Sequence, residues 1–171
     1  MKATGFKFIS ICVSLVLAAV CYLGFSEPVG AQTAPTLVAS VFSLAGKRPT
    51  NLGVKDGQLA PCPKSPNCVS SYSTDEAHKI DALAYTGTRD EALAKLKAVI
   101  EKMDNAKIIT QSPDYLYAEF TSSLMGFVDD VEFYVNEEKG LIEVRSASRL
   151  GESDLGVNRQ RIEAIRKEFN L

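Results

Sequence analysis

Four short segments, separated by breaks of hairpin length, constrain this chain more than any other feature of its sequence. They cover residues 106–111, 115–121, 127–135 and 141–149. The breaks between them contain Ser-Pro, Met-Gly and Glu-Glu-Lys-Gly, which are typical of turns. Strands that are joined by such short turns pair in antiparallel fashion. The sequence therefore predicts a largely antiparallel sheet.

The last two segments also predict how they pair with each other. The expected register places Asn136 opposite Leu141, Val135 opposite Ile142, Phe133 opposite Val144, Val131 opposite Ser146 and Asp129 opposite Ser148. On the other face of the hairpin, Glu132 then lies opposite Arg145. Asp130 lies opposite Ala147 and is a diagonal neighbour of both Arg145 and Arg149. We expect one apolar face and one face that carries a ladder of charges.

Two helices are predicted to cover one face of this sheet. The first begins at Thr88, because Thr88 and Glu91 have the capping-box spacing, in which two side chains satisfy free backbone amides at a helix start. Its apolar stripe consists of Ala92, Leu93, Leu96, Val99, Ile100 and Met103. The second helix covers residues 158–169, and its stripe consists of Ile162, Ile165 and Phe169. With residues 79–85 as a further strand, we expect an α+β fold: a two-layer domain whose mostly antiparallel sheet of four to five strands is backed by two helices.

The amino-terminal segment, residues 1–31, has the pattern of an export signal. Lys2 and Lys7 precede an uncharged run over residues 8–25, and the small residues that end at Ala31 suit a signal peptidase. The run is long for a cleaved signal and close to the lower limit for crossing a bilayer. Residues 1–31 are therefore interpreted as a signal peptide or a membrane anchor, and both interpretations predict an exported chain. Membrane contact through this segment is expected if it is not cleaved.

The rest of the chain divides into a connector, residues 32–61, and a single α+β domain, residues 62–171. The connector has an apolar patch over residues 37–44. Its later part is punctuated by Pro49, Gly53, Gly57 and Pro61. Such punctuation favours extended backbone and turns over a helix. We expect the connector to dock partly on the domain.

Two cysteines, Cys62 and Cys68, lie beyond the predicted signal. In an exported chain, two nearby cysteines most simply form a disulfide. Two alternatives stay open, a redox-active pair and a metal site. Exchange enzymes usually have two residues between their cysteines rather than five, and zinc requires four ligands, for which only His78 offers a further nitrogen.

Composition and motifs exclude several classes of function. The formal net charge of −2 argues against a general nucleic-acid binder, which would show a basic balance. His78 is interpreted as an ordinary surface residue without an aspartate partner, so a Ser-His-Asp site is not expected. Asp129 and Asp130 are adjacent on a strand, point to opposite faces and cannot share a proton. The sequence predicts no catalytic residue, no metal site and no cofactor.

The stretch over residues 145–161 carries four arginines and is the predicted working surface. Asn158 is expected to cap the last helix, so Arg159 and Arg161 place positive charge on the positive end of its dipole. This arrangement costs stability unless an anion sits there, and amides with arginine forks suit a carboxylate or a phosphate. We therefore predict an anion- or partner-binding site. Its residues are Arg145, Arg149, Asn158, Arg159 and Arg161.

An alternative explanation for the same stretch is an internal clasp. In that case Glu152, Asp154 or an acid from the strands is the anion that neutralises the arginines. The acids expected to form structural ion pairs are Asp130, Glu132 and Asp154. The sequence leaves the clasp and the binding site open.

Five segments of the chain resemble the domain of unknown function 1499 family. They are PTNLGV at 49–54, CPKSPNCVSS at 62–71, FVDDVEF at 127–133, RSASR at 145–149 and DLGVNR at 154–159. The resemblance implies a bacterial or plastid family without an established activity, often found behind an export or targeting sequence. It implies a location in the periplasm or the thylakoid lumen. It supplies no catalytic residues to carry over.

Taken together, these features predict a non-catalytic binding or assembly module at a membrane surface. The expected partners are a membrane protein complex or an anionic ligand, and no nucleic acid. Two alternatives are a cofactor-independent enzyme that acts on an anionic substrate and a disulfide-stabilised structural or redox-responsive module.

Overall fold

The computed structural model describes residues 44–171, and within them a six-stranded sheet carries two helices. The strands are β1 (Cys68–Ser70), β2 (Leu83–Ala84), β3 (Ala106–Gln111), β4 (Tyr115–Thr121), β5 (Val128–Asn136) and β6 (Leu141–Ser148). The helices are α1 (Arg89–Glu101) and α2 (Val157–Phe169). All strand pairs are antiparallel, which confirms the predicted α+β class.

The strand order across the sheet is β1-β6-β5-β4-β3, so the three predicted hairpins are neighbours in space as well as in sequence. The register of β5 with β6 is the predicted one at every position, from Asp129 opposite Ser148 to Asn136 opposite Leu141. An irregularity in β3 between Ile108 and Thr110 shifts its register with β4. Such a bulge turns Ile109 toward the face of the sheet that the helices do not cover.

The edge of the sheet beyond β6 differs from the prediction. Residues 79–85 were expected to form one strand, but only Leu83–Ala84 pairs with β6, and Lys79 forms an isolated parallel bridge to Ser70. The reason is that β1, which was not predicted, already pairs with residues 145–147 of β6. Only the other end of that edge, Leu141 and Ile142, is left for β2. The two short strands therefore lie end to end.

The main core lies between the helices and one face of the sheet. The expected capping box starts α1: the Thr88 N–H donates to Glu91 Oε2 over 2.9 Å, and the Glu91 N–H donates to Thr88 Oγ1 over 3.3 Å. The sheet contributes Leu116, Ala118, Phe120, Val131, Phe133, Val135, Ile142 and Val144, and the helices contribute Ala92, Leu93, Leu96, Ile100, Ile162, Ile165 and Phe169. This alternation along each strand leaves the other face free for polar residues.

Residues 48–59 pack on that other face of the sheet. Leu59 is buried there with Tyr115 and Tyr117, and Leu52 and Val54 pack against the same small cluster. The described part of the connector therefore forms a partial third layer on the two-layer domain.

None of the helices within residues 44–171 is long and apolar enough to cross a bilayer. The predicted signal or anchor, residues 1–31, lies outside the described residues.

Candidate functional site

The face of the sheet opposite the helices, here called the ladder face, buries a row of charged side chains. They are Glu119 in β4, Asp130 and Glu132 in β5, Glu143 and Arg145 in β6, and Arg149 directly after β6. Each lies at a position that alternates with the apolar core positions of its strand. Four acids and two arginines thus lie on the face of the sheet opposite the helices.

Glu132 and Arg145 form the innermost pair of the ladder face. Arg145 Nη1 donates to Glu132 Oε2 over 3.2 Å, and their side chains are 6% and 0% exposed, respectively. The Tyr115 hydroxyl and the Gly53 N–H each donate to Glu132 Oε1 over 2.8 Å. Within residues 44–171, Arg145 Nε has no hydrogen-bond partner. The carboxylate is fully satisfied by three donors, whereas the guanidinium leaves one buried N–H unused.

Arg149 holds a second cluster on the same face. Its guanidinium donates to both oxygens of Asp130, over 2.6 Å to Oδ1 and 2.9 Å to Oδ2, and also to Glu119. The Tyr117 hydroxyl lies 2.6 Å from Asp130 Oδ1. Arg48 of the connector reaches the outer side of Glu119 over 2.6 Å. This is a two-pronged arginine contact to carboxylates, the strongest hydrogen-bonding geometry that arginine offers.

The electrostatics of the ladder face follow from burial and from these contacts. Burial and then the hydrogen bond with Asp130 raise the pKa of Tyr117 above its usual value, and burial together with the charge of Glu132 does the same for the pKa of Tyr115. Burial on its own would raise the pKa of Glu119, but hydrogen bonds from Arg149, Arg48 and Tyr117 outweigh it and lower that pKa. The hydrogen bond to Asp130 raises the pKa of Arg149. These pKa shifts favour the neutral form of the two tyrosines and the charged forms of Glu119 and Arg149.

A separate polar cluster lies on the helix side of the sheet, where β6 leads into α2. Arg161 of α2 pairs with Asp129 and donates to Asn158 Oδ1 over 2.6 Å. Asn158 is fully buried, and its amide donates over 3.0 Å to the carbonyl of Asn67 and to Ser148 Oγ. Asp129 is therefore the strand acid that the internal-clasp alternative invoked.

The start of α2 differs from the sequence prediction. Asn158 was expected to cap the helix, but the cap is Gly156, in the left-handed conformation at φ 83°, and Asn158 lies inside the helix. The Asp154 carboxylate accepts from the N–H of Gly156 over 3.0 Å and from the N–H of Asn158 over 2.7 Å. Asp154, just before the helix, thus accepts hydrogen bonds from two free amides and places a negative charge at the positive end of the helix dipole. It caps α2 instead of forming the ion pair that was predicted.

The five residues of the predicted anion site do not meet at one point. Arg145 and Arg149 lie on the ladder face, whereas Asn158 and Arg161 lie on the helix side of the sheet. Arg159 turns away from both and donates to the carbonyls of Lys79, Ala77 and Glu76 over 2.7, 3.1 and 3.3 Å. The predicted site residues are separated for two reasons. Successive residues of β6 point to opposite faces of the sheet, as the sequence shows. The rotation of α2 about its axis, which the sequence does not show, directs Arg159 and Arg161 to different neighbours.

Cys62 and Cys68 are joined by a disulfide. The bond closes a loop that ends at Asn67, whose side-chain amide donates to the Gly151 carbonyl over 2.6 Å.

His78 has an aspartate partner after all, because its Nδ1 lies 2.7 Å from Asp75 Oδ1, and the interpretation of His78 as a residue without such a partner was wrong. No cluster of metal-ligating side chains occurs in residues 44–171.

Exposed apolar side chains gather at one end of the sheet, here called the loop end. It consists of the β4–β5 turn (residues 122–127) and the β6–α2 loop with the first helical residue (residues 149–157), which are neighbours because Asp129 pairs with Ser148. Leu124 is 91% exposed and Leu155 is 89% exposed. Met125, Leu150 and Val157 are also exposed. The two segments line a cavity of about 160 Å³ between them.

Leu155 combines this exposure with an unusual backbone. Its φ of 55° places it in the left-handed region, which bulky residues other than glycine rarely adopt. The Leu155 N–H is held by Ser153 Oγ, and the N–H of the next residue is held by Asp154. Backbone strain of this kind is concentrated at functional sites. The loop end was not predicted from the sequence, although the apolar residues Leu124 and Met125 in the break between two predicted strands were a visible signal.

Comparison with family models matches residues 58–169 to a family described as "Protein of unknown function (DUF1499)". The chain belongs to the DUF1499 family. The match covers the disulfide residue Cys62, all six strands and both helices. Comparison with curated proteins found no match.

The DUF1499 match also separates two parts of the candidate site. The ladder face and the loop end lie inside the matched range. Arg48 and Gly53, the connector residues that contact Glu119 and Glu132, lie before it. The charged row therefore belongs to the family domain, and part of its cover is supplied by the segment that precedes the domain.

Proposed function

We propose that this chain is a non-catalytic binding or assembly module of an extracytoplasmic compartment, the periplasm or the thylakoid lumen, and that it binds its partner through the loop end. The observation that carries the proposal is the pair of almost fully exposed leucines, Leu124 and Leu155, on two adjacent segments. Large apolar side chains that stay exposed on neighbouring segments of a domain mark a site of interaction with protein or membrane. The binding surface is thus at the predicted strand-to-helix junction, but it contacts the partner through apolar side chains instead of binding an anion.

The arginines of this stretch support an architectural role. Arg145, Arg149 and Arg161 are each paired with a buried carboxylate on this chain, and their side chains are 10% exposed or less. An anionic partner would have to displace those carboxylates, which would leave buried charges without a counterion. The same argument weighs against the alternative of an enzyme for an anionic substrate.

The disulfide supports the proposed compartment. Disulfides persist in oxidising environments such as the periplasm and are rare in the cytosol. Cys68 is buried, and the Asn67 carbonyl accepts from both the Ser148 N–H and the Asn158 side chain. The bonded loop therefore supports both the end of β6 and the start of α2, from which Leu150 and Leu155 extend.

The test compares variants of the full chain in its native membrane fraction. The variant Leu124→Asp with Leu155→Asp introduces two charges at the loop end, at positions where the free chain has water around the side chain. Leu171→Asp is the matched control, because Leu171 is 85% exposed and follows the far end of α2, about 20 Å from the start of that helix. The measurement is the size of the solubilised assembly by native gel, with thermal unfolding as the check on folding.

We expect the loop-end variant to lose the assembly or membrane retention that the control keeps, with unchanged melting temperature in both. If the loop-end variant keeps both the assembly size of the control on the native gel and its share of chain in the membrane fraction, the proposed binding surface is wrong.

A further inference from the structure

We infer that the loop end rests on a lipid bilayer, so that the partner of this surface is membrane lipid. The inference rests on the proposed function, because it names the partner of the proposed binding surface. It comes from three independent features: the composition of the two segments, the place where the chain enters the domain, and the charges around the patch.

The first feature is composition. The turn over residues 122–127 contains no charged residue, and it presents Leu124 and Met125, which are 91% and 52% exposed. Leu155 extends from the neighbouring loop at 89% exposure. Short loops that hold single large apolar side chains away from the domain suit shallow insertion at the boundary between headgroups and acyl chains. A pocket-filling protein contact would instead favour a groove or a continuous flat patch.

The second feature is where the chain enters the described domain. Residues 1–43 precede it, and they include the uncharged run over residues 8–25 that predicts a signal or an anchor. Gly46 packs directly against the loop end, since a Cβ on it would lie 2.9 Å from Arg149 Cβ and 3.0 Å from Leu150 Cγ. The chain therefore enters the described domain at the same end as the exposed leucines, after a segment whose sequence predicts a signal or an anchor.

The third feature is charge, which decides the kind of lipid contact. The β6–α2 loop carries Glu152 and Asp154, and the Asp154 carboxylate is committed to the amides of α2. Lys47 follows Gly46, and Arg48 is paired with Glu119. This balance has no basic excess that would draw the loop end to anionic lipids. The contact is therefore apolar insertion, and it does not depend on the fraction of anionic lipid.

Tryptophan fluorescence provides a direct test, because the chain contains no tryptophan. Three single variants of the full chain are compared: Leu124→Trp and Leu155→Trp at the loop end, and Leu171→Trp as the control at an equally exposed leucine. Each is reconstituted into phosphatidylcholine vesicles with and without phosphatidylglycerol. Parallel samples contain lipids brominated on the acyl chain, which quench only a tryptophan that touches the bilayer interior.

The expected result is a blue-shifted emission and strong quenching by brominated lipid at positions 124 and 155, and neither at position 171. The shift should be the same with and without phosphatidylglycerol. Equal behaviour at all three positions would overturn the inference, whether all are quenched or none is. A requirement for phosphatidylglycerol would overturn the apolar mode of contact.

The two proposals fail in distinguishable ways. A blue shift at 124 and 155 without bromine quenching means that protein, such as a second copy of the chain, covers the loop end, which overturns the lipid inference and leaves the proposed binding surface standing. If the tryptophans stay water-exposed and the Leu124→Asp, Leu155→Asp variant also keeps its native assembly, both proposals are wrong.

Discussion

Glu132 and Phe133 are adjacent in β5, both are 0% exposed, and they point to opposite faces of the same sheet. Phe133 packs in the core between the sheet and the helices, where the requirement is volume and apolar contact. Glu132 is buried under the connector, where the requirement is three donors, from Arg145, Tyr115 and Gly53. The helix side thus requires apolar side chains that fill its volume, whereas the ladder face requires hydrogen-bonding partners at defined positions.

This difference means that the two faces contribute differently to the fold. Apolar burial is the main stabilising term on the helix side. Buried ion pairs seldom add much net stability, because desolvation offsets the attraction. They do penalise wrong pairing: a slip of one residue between β5 and β6 would turn one strand over and move either Glu132 or Arg145 onto the apolar core, away from its partner. The ladder face therefore specifies the register that the helix face stabilises.

The largest effect is expected from a cavity on the helix face. Phe133→Ala should lower the free energy of unfolding by about 3–5 kcal/mol, because a fully buried aromatic ring leaves a void that the packed core cannot close. Urea denaturation measures it, and Phe133→Leu should lose much less. If Phe133→Ala loses less than Arg145→Ala, the helix face is not the main source of stability.

Breaking the ladder pair is expected to cost nearly as much. Arg145→Ala leaves the buried Glu132 carboxylate without its cation, which should cost about 3 kcal/mol. A double-mutant cycle with Glu132→Ala should show strong coupling between the two positions. Neutralising both partners while keeping an acceptor, as Glu132→Gln with Arg145→Met, should come closer to wild-type stability than Arg145→Ala, because no unpaired charge remains and an amide oxygen can still accept from Tyr115 and Gly53. A coupling energy near zero would show that the pair is not held in the described geometry.

A smaller loss of stability is expected from a substitution in the connector segment that packs on the ladder face. Leu59→Ala should cost about 2 kcal/mol, because Leu59 is 4% exposed against Tyr115 and Tyr117 but belongs to a small cluster that can relax. Amide hydrogen exchange should also become faster in residues 48–59 and stay unchanged in α1. Unchanged exchange in the connector would mean that Leu59 does not hold this cover in place.

The smallest effect is a pH dependence that only the ladder face shows. Tyr115 and Tyr117 have raised pKa values in the folded chain, chiefly through burial, and burial also raises the pKa of Tyr72 to about 12. Their contribution is present below the unfolded tyrosine pKa of about 10 and is lost as the pH rises above it, because the unfolded chain ionises first. The free energy of unfolding should therefore begin to fall at about pH 10 and keep falling up to about pH 12, where Tyr72 ionises in the folded chain. Tyr117→Phe should weaken that fall, and an identical slope in the variant would exclude Tyr117 as a contributor.

Local sequence patterns predicted some features of the two faces and of the helices, but not all of them. The register of β5 with β6 was predictable, because the short turn sets Asn136 opposite Leu141, and alternation from that pair places Val131, Phe133 and Val144 on one face. The start of α1 was predictable as well, because a capping box uses side chains only three residues apart. The candidate site was only partly predictable: Arg145 was correctly set opposite Glu132 and Arg149 beside Asp130, but the grouping of the arginines into one site followed closeness in sequence.

The sequence by itself determined the antiparallel sheet, its central register and the alternation that puts charges on one face, because these depend on neighbours in the chain and on the period of a strand. Only the tertiary structure decided what covers that face, which groups Arg159 and Arg161 contact, and which turn stays exposed. Gly53 reaches Glu132 across 79 residues and Asn158 reaches Asn67 across 91, and no local pattern encodes such a pairing. The exposure of Leu124 and Leu155 is decided in the same way, because a side chain remains in contact with water only where no distant segment packs over it.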